Sequence, residues 1–168
     1  QAMPPTLSER ARQQLEKLGV QVKVNSRVTK CEAGSVTIGD RRVPAETVIW
    51  AAGVKASPAA AWLGAEADRA GRVKVEPDYS VPGHGNVFVI GDTASLVDAD
   101  ERLVPGVAPA AKQAGHYVGG VIRAALAGRS KPAPFRYRDP GNMATIGRHA
   151  GVADFGWVSL RGRVAWWL

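Results

Sequence analysis

The first apolar positions of the chain fall about one helical turn apart: Leu7, Ala11, Leu15 and Leu18 share one face. Pro4 and Pro5 stand where a helix tolerates them, Thr6 and Glu9 have capping-box spacing, and Gly19 can adopt the left-handed stop. The spacing predicts a helix over 7–18. The period then changes to two. Val20, Val22 and Val24 alternate with Gln21 and Lys23 as in a half-buried strand, and 28–31 can extend the same sheet. Residues 36–38, the Gly39-Asp40 pair and 41–43 read as a hairpin. Val48-Ile49-Trp50-Ala51-Ala52 is an unbroken apolar run closed by Gly53, the pattern of a parallel strand covered on both faces.

Beyond it, 55–72 mixes Ala, Gly, Pro and charge, and reads as a connection with one helical turn, anchored by Trp62 and Leu63. A short strand is expected at 73–75, a turn-rich loop at 77–86, and a second buried strand at 87–90 running into Gly91-Asp92. Residues 107–126 turn helical, rich in Ala, and Gly128 ends them. Phe135 and Tyr137 alternate as in a strand, and 143–146 and 152–155 are further short strands. The last residues, Val164-Ala165-Trp166-Trp167-Leu168, form an apolar run without a stop signal. Strands interleaved with helices in this way predict an α/β fold.

Composition narrows the function classes only a little. Of 168 residues, 45% are hydrophobic and 22% charged, which suits a folded globular protein rather than a disordered one. No apolar run is long enough to span a bilayer, and residues 1–5 lack the basic and apolar regions of a leader. The net charge of +7 favours anionic partners, yet the basic residues are spread out and match no nucleic-acid-binding motif, so no nucleic acid is expected. A single cysteine, Cys31, excludes an internal disulfide and a multi-cysteine metal site, and it reads as a structural thiol. The three histidines lack metal-ligand spacing; His84 and His149 read as surface residues, and His116 alone sits on a candidate site helix. Asp98, Asp100 and Glu101 read as loop decoration.

Three segments could carry chemistry. In an open α/β sheet, ligands lie beyond the carboxyl ends of strands, where Gly91 permits close approach and Asp92 can accept hydrogen bonds from sugar or polyol hydroxyls. The plainer reading is a strand followed by ordinary Gly-Asp turn chemistry. Val104-Pro105-Gly106-Val107-Ala108-Pro109 leads into a helix with small residues, whose free N–H groups suit an anion or negative charge developing on a flat ring; taken alone, the plainer reading is an Ala-rich packing helix. The tip of 48–53, Ala-Ala-Gly, presents almost no side chain, and so could admit a nucleotide ring or simply close a core strand.

Taken in order, Ile49-Trp-Ala-Ala-Gly-Val-Lys55, Val87-Phe-Val-Ile-Gly-Asp-Thr-Ala94, Val104-Pro-Gly-Val-Ala-Pro-Ala-Ala-Lys-Gln113 and Tyr137-Arg-Asp-Pro-Gly-Asn-Met-Ala-Thr-Ile-Gly-Arg148 resemble type II NADH dehydrogenases along essentially the whole chain. The resemblance implies parts of two three-layer Rossmann-like, FAD/NAD(P)-binding domains with short β-hairpins. Residues 1–55 would be the C-terminal part of an NADH-binding domain, 56–150 the second segment of an FAD-binding domain, and 151–168 the start of a membrane-associating region. The implied activity is hydride transfer from NADH to FAD and onward transfer of electrons to a membrane quinone. The implied cofactors are FAD and NAD(H), and the implied location is peripheral, on the cytoplasmic face of the inner membrane. A homodimer is compatible with it.

Carried over by position, Gly91 and Asp92 would bind the FAD ribityl or nearby hydroxyls, and the backbone of Ala111, Lys112 and Gln113 would face the pyrimidine side of the flavin. Ala52 and Gly53 would lie near the NADH path, and Gln113 would also border the quinone. Pro109 replaces a Gln common in the family and Pro140 a basic residue, so neither receives a role. No G-x-G-x-x-G occurs, so both pyrophosphate-binding turns are expected upstream, and the chain alone is expected to be inactive. Two other readings stand beside this one: another FAD-dependent NAD(P)H oxidoreductase, ferredoxin-reductase-like or of the sulfide:quinone type, and a non-catalytic basic module for membrane surfaces.

Overall fold

The computed structural model describes residues 4–156 and 158–167. The chain divides into two compact units, Gly53–Pro140 and a unit of two segments, Gln1–Ala52 with Gly141–Leu168.

The two-segment unit opens with helix α1 (Pro5–Lys17). Its N-cap is Pro4, with no side-chain cap. Thr6 and Glu9 therefore do not form the expected capping box: the helix starts one residue before Thr6, and Glu9 instead bonds Arg12 and Gln13. The C-terminal stop is as expected. Gly19 has φ +84°, and the Gly19 and Val20 N–H groups donate to the Glu16 and Leu15 carbonyls. Strands β1 (Val28–Glu32), β2 (Ser35–Ile38) and β3 (Arg41–Pro44) form an antiparallel meander, its second turn at Gly39-Asp40. A second meander, β8 (Asn142–Ile146), β9 (Ala150–Asp154) and β10 (Ser159–Arg161), has β9 in the middle. Leu7 of α1 packs with Ile146 and Val152 to make the core here. Helix α4 (Gly162–Trp167) also packs on β9, at Gly151, where an added Cβ would stand 3.0 Å from the Ala165 carbonyl oxygen. The sequence gives no stop signal for this terminal helix, and Leu168 lies outside the described residues.

Two strands expected in this unit are absent. Residues 20–24 and 48–52 form no ladder, and Val24, Ile49 and Trp50 are exposed. A strand takes its ladder bonds and its cover from neighbouring elements, and among the described residues neither segment has a pairing strand. Cys31 is exposed, not buried.

In Gly53–Pro140, helix α2 (Ala59–Leu63) is anchored by buried Ala60, while Trp62 faces solvent, contrary to expectation. Strand β4 (Val73–Lys74) pairs in parallel with β7 (Ala94–Ser95), and β5 (Ser80–Val81) pairs antiparallel with β6 (His84–Phe88). The buried strand expected at 87–90 thus begins earlier and ends at Phe88, as one arm of a two-stranded hairpin, with Val87 and Phe88 only half-buried and Ile90 exposed. Helix α3 (Ala108–Leu126) is within a residue of its expected bounds. Tyr79, Leu96, Val104, Ala110, Ala114, Val118 and Phe135 close the core, with Phe135 edge-on to Tyr79 and Tyr117 at centroid distances of 5.0 and 5.4 Å.

Two hairpin loops in this unit are built alike. Asp68 N–H donates to the Arg72 carbonyl, the Asp68 carbonyl accepts from Gly71 N–H, and Asp68 Oδ1 takes the Ala70 and Arg72 N–H groups at 2.9 and 3.0 Å. Asp98 does the same thirty residues later, with Arg102, Glu101 and the Asp100 and Arg102 N–H groups at 2.9 and 3.1 Å. Both are Asp-x-x-x-Arg, and the carboxylate replaces the hydrogen bonds that the turning backbone cannot make with itself.

Candidate functional site

After Phe88 the chain leaves its hairpin and winds into a single 3-10 turn, Gly91–Thr93. Gly91 has φ +68°, a conformation that costs a side-chain-bearing residue about 1 kcal/mol or more. A Cβ there would lie 3.6 Å from the Ala111 Cβ, so the turn abuts the first turns of α3. On the other side Gly106 comes so near that its Cβ would stand 3.3 Å from Asp92 Oδ1. Asp92 itself is exposed, its carboxylate open to a ligand. Gly91 therefore meets Ala111, and Asp92 meets Gly106. Lys112 is exposed on the same helix and Gln113 half-buried.

The start of α3 differs from expectation in one respect. Val107 is the N-cap, no side chain caps the helix, and the Ala111 N–H already donates to the Val107 carbonyl at 3.1 Å. The donors without an intrahelical acceptor are thus those of Ala108 and Ala110, Pro109 having none. These two residues were missed in the sequence because the helix start is hidden in a run of small residues. The first turn carries no acidic residue, and so keeps its partial positive charge.

Gln113 is engaged. Its Nε2 donates to the Arg138 carbonyl at 2.8 Å, and its Oε1 accepts the Arg138 N–H at 3.0 Å. The 135–138 segment is extended without joining a sheet: Phe135 N–H donates to Pro77, Phe135 O accepts from Ala99, and Tyr137 N–H donates to Asp98 Oδ2 at 3.2 Å. Asp98 is only 6% exposed, so the expectation of a decorative loop is corrected. Burial pushes its pKa up, but the backbone N–H groups of Arg102, Tyr137 and Asp100 outweigh that and hold it below the ordinary carboxylate value. Burial and the Asp98 charge together push the Tyr79 phenol up to about 12. Burial, with Asp139, also raises Tyr137.

Of the other expected residues, Gly53 has φ +102° and open space around its Cβ position, and Ala52 is exposed. Ser57, four residues on, reaches the 3-10 turn: its Oγ lies 3.3 Å from Thr93 Oγ1. Nothing in the sequence marks that pair. His116 is exposed. Among the described residues there is no group of three or more metal-ligating side chains, and no helix long and apolar enough to cross a membrane.

The model of the pyridine nucleotide-disulphide oxidoreductase family matches residues 1–115. The type II NADH:quinone oxidoreductase NdhA of Mycobacterium tuberculosis is 42% identical over 99% of this chain and 37% of its own length. The type II NADH:quinone oxidoreductase of Staphylococcus haemolyticus is 36% identical over 82% of this chain and 35% of its own. Among solved structures, the NDH2 of Plasmodium falciparum in complex with NADH superposes with a TM-score of 0.80 at 16% identity, over 97% of this chain and 50% of that one. The chain thus spans well under half the length of the curated relatives it matches.

Proposed function

We propose, from the premise that this chain belongs to the pyridine nucleotide-disulphide oxidoreductase family, that it is the flavin- and quinone-facing segment of a type II NADH:quinone oxidoreductase. The observation that carries this reading is the meeting of the Gly91-Asp92 turn with the uncapped start of α3. The residues fit FAD: a positive-φ glycine turn lying against the start of α3, an open carboxylate, and helix donors without an intrahelical acceptor. When bound, FAD supplies the two-electron relay between NADH and quinone.

The chain's own residues position and tune. Asp92 accepts the polyol hydroxyls. The Ala108 and Ala110 N–H groups, with Ala111, Lys112 and Gln113 behind them, place positive potential where the pyrimidine ring gains negative charge, and so favour the reduced form. Ala52 and Gly53 leave the NADH path clear of side chains. Gln113 borders the quinone with its orientation fixed by Arg138. We assign 1–55 to an NADH-binding domain and 56–150 to the FAD-binding domain. The 151–168 segment approaches the membrane surface, a role supported by exposed Trp167 beside Arg161 and Arg163. The enzyme then works peripherally, at the cytoplasmic face of the inner membrane.

The test is spectroscopic and kinetic, on the protein that carries this chain. Flavin absorbance with NADH oxidation stimulated by a soluble quinone is the expected result. Bound flavin without quinone reduction would move the reading to another electron acceptor, and absence of flavin would overturn it.

A further inference from the structure

The twin loops differ in one place. In the first, Asp68 Oδ2 is taken by the Arg72 guanidinium of its own loop, with Nε at 2.7 Å. In the second, Arg102 turns outward to Asp100, and Asp98 Oδ2 is left for the Tyr137 N–H. The same loop is self-contained at Asp68 and tied to a distant segment at Asp98. That segment is the one whose next residue, Arg138, bonds both ends of the Gln113 carboxamide. Arg136 adds an exposed ion pair to Asp100 at 3.2 Å, of the kind that contributes little.

We propose that Asp98 is a positioning residue for Gln113: by accepting the Tyr137 N–H it fixes the 135–138 strap, and the strap in turn sets the orientation of the Gln113 carboxamide. A carboxamide can rotate or flip at small cost unless both its ends are engaged, and here both engage one residue of the strap. The strap belongs to no sheet: backbone bonds to Pro77 and Ala99 hold it at Phe135, but at Tyr137 and Arg138 it is held by side chains, those of Asp98 and Gln113. Asp98, buried and ionised, is the stronger of these, because hydrogen bonds to a charged acceptor exceed neutral ones. The proposal rests on reading α3 as the helix that faces flavin and quinone.

Asp98→Asn and Asp98→Ser, compared with Asp68→Asn in the flavin-loaded protein, test it. The Ser variant keeps an acceptor for the loop and removes the oxygen aimed at Tyr137. In both Asp98 variants the Arg138 amide should exchange with deuterium about tenfold faster, the effect of losing one charge-assisted bond. KM for a soluble benzoquinone should rise several-fold while flavin is retained. Asp68→Asn should weaken its loop yet leave both readouts as in the parent protein. Unchanged Arg138 exchange in a folded Asp98 variant, or equal acceleration in the Asp68 variant, would overturn the proposal. A parent protein that neither holds flavin nor reduces quinone would overturn the functional reading alone, since the exchange measurement still decides the strap.

Discussion

The Gln113 carboxamide and the Arg138 backbone exchange two hydrogen bonds, at 2.8 and 3.0 Å, across 25 residues of sequence. A side-chain amide offers the same donor–acceptor pair as a strand backbone, and it supplies the 137–138 segment with the partner it lacks. Gln113→Glu makes this testable. An ionised Glu keeps the acceptor for the Arg138 N–H but turns a second oxygen toward the Arg138 carbonyl. Folding would therefore favour the neutral acid, which can donate, and raise its pKa above the unfolded value. Stability should then be near that of the parent below the unfolded pKa and fall, by about 1–2 kcal/mol, as pH rises through the folded one. Melting at pH 3.5 and pH 8, each against the parent protein, reads this; a difference independent of pH would contradict it.

The parent protein itself has the opposite dependence on the acid side. Burial raises the pKa of Asp68, but bonds from Arg72 and Ala70 bring it down to about 2. Asp78, also desolvated, is held at about 2 by Lys131, whose Nζ lies 2.6 Å away, and by Ser80. With folded values depressed from the ordinary 3.8, each contributes stability that is present above that value and lost as pH falls toward 2. Each is worth on the order of 2 kcal/mol. A denaturant midpoint that does not move between pH 6 and pH 3 would argue against these pairings.

What the sequence disclosed follows from how local each signal is. Helix α3 was legible because Pro109, an Ala-rich face and Gly128 all lie within it or at its edge. The 39–40 turn was legible for the same reason. Residues 48–52 were not, since an apolar run shows that a segment can be buried but not which neighbours would bury it. The exposure of Trp62 and burial of Ala60 invert the simple expectation that the large residue anchors a short helix. At the site, Gly91 and Asp92 could be picked out one by one. The nearness of Gly106 to Asp92, the grip of Gln113 on Arg138 and the burial of Asp98 are products of tertiary folding. Only the recurrence of Asp-x-x-x-Arg at 68 and 98 left a trace of the last in the sequence.

That recurrence also yields a stabilising change. The fourth loop residue is Gly71 in one copy, with φ +81°, and Glu101 in the other, with φ +58°. Glycine adopts this conformation without the Cβ clash that Glu101 bears, although it has more freedom to lose on folding. Glu101→Gly should raise stability by about 0.5–1 kcal/mol, a shift of a few degrees in the thermal midpoint. A lowered midpoint would mean that the exposed Glu101 side chain contributes something the loop geometry does not show.

Gly141→Ala should be among the most damaging small substitutions. Its φ is +94°, and an added Cβ would overlap the Asp154 carbonyl oxygen and stand 2.9 Å from the Phe155 Cα, both parts of the backbone. Neither neighbour can rotate away, so the start of β8 or the end of β9 must shift. A loss of about 3 kcal/mol or more is expected, from overpacking and backbone strain together. Gly156→Ala, with φ +81° but open space at the Cβ position, should cost less. Equal losses for the two would show that φ alone matters there and that the close approach does not.

Gly106→Ala separates cofactor geometry from stability. The new Cβ would lie 3.3 Å from Asp92 Oδ1, tight enough that one of them must give way by a few tenths of an ångström. Asp92 is exposed, so its carboxylate can turn aside at little cost to the fold. The melting temperature should therefore hardly change. The displaced carboxylate, however, no longer meets the flavin hydroxyls at their best angle, and a hydrogen bond worth about 1 kcal/mol corresponds to roughly fivefold in affinity. Asp92→Ala removes the acceptor outright and should weaken FAD at least as much, again with little loss of stability. Titration of FAD into the apoprotein, beside a thermal melt of each variant, checks both. Full affinity in Gly106→Ala with a weakened Asp92→Ala would leave Asp92 as a ligand and show the approach of Gly106 to be incidental. Full affinity in both would remove Asp92 from the flavin site.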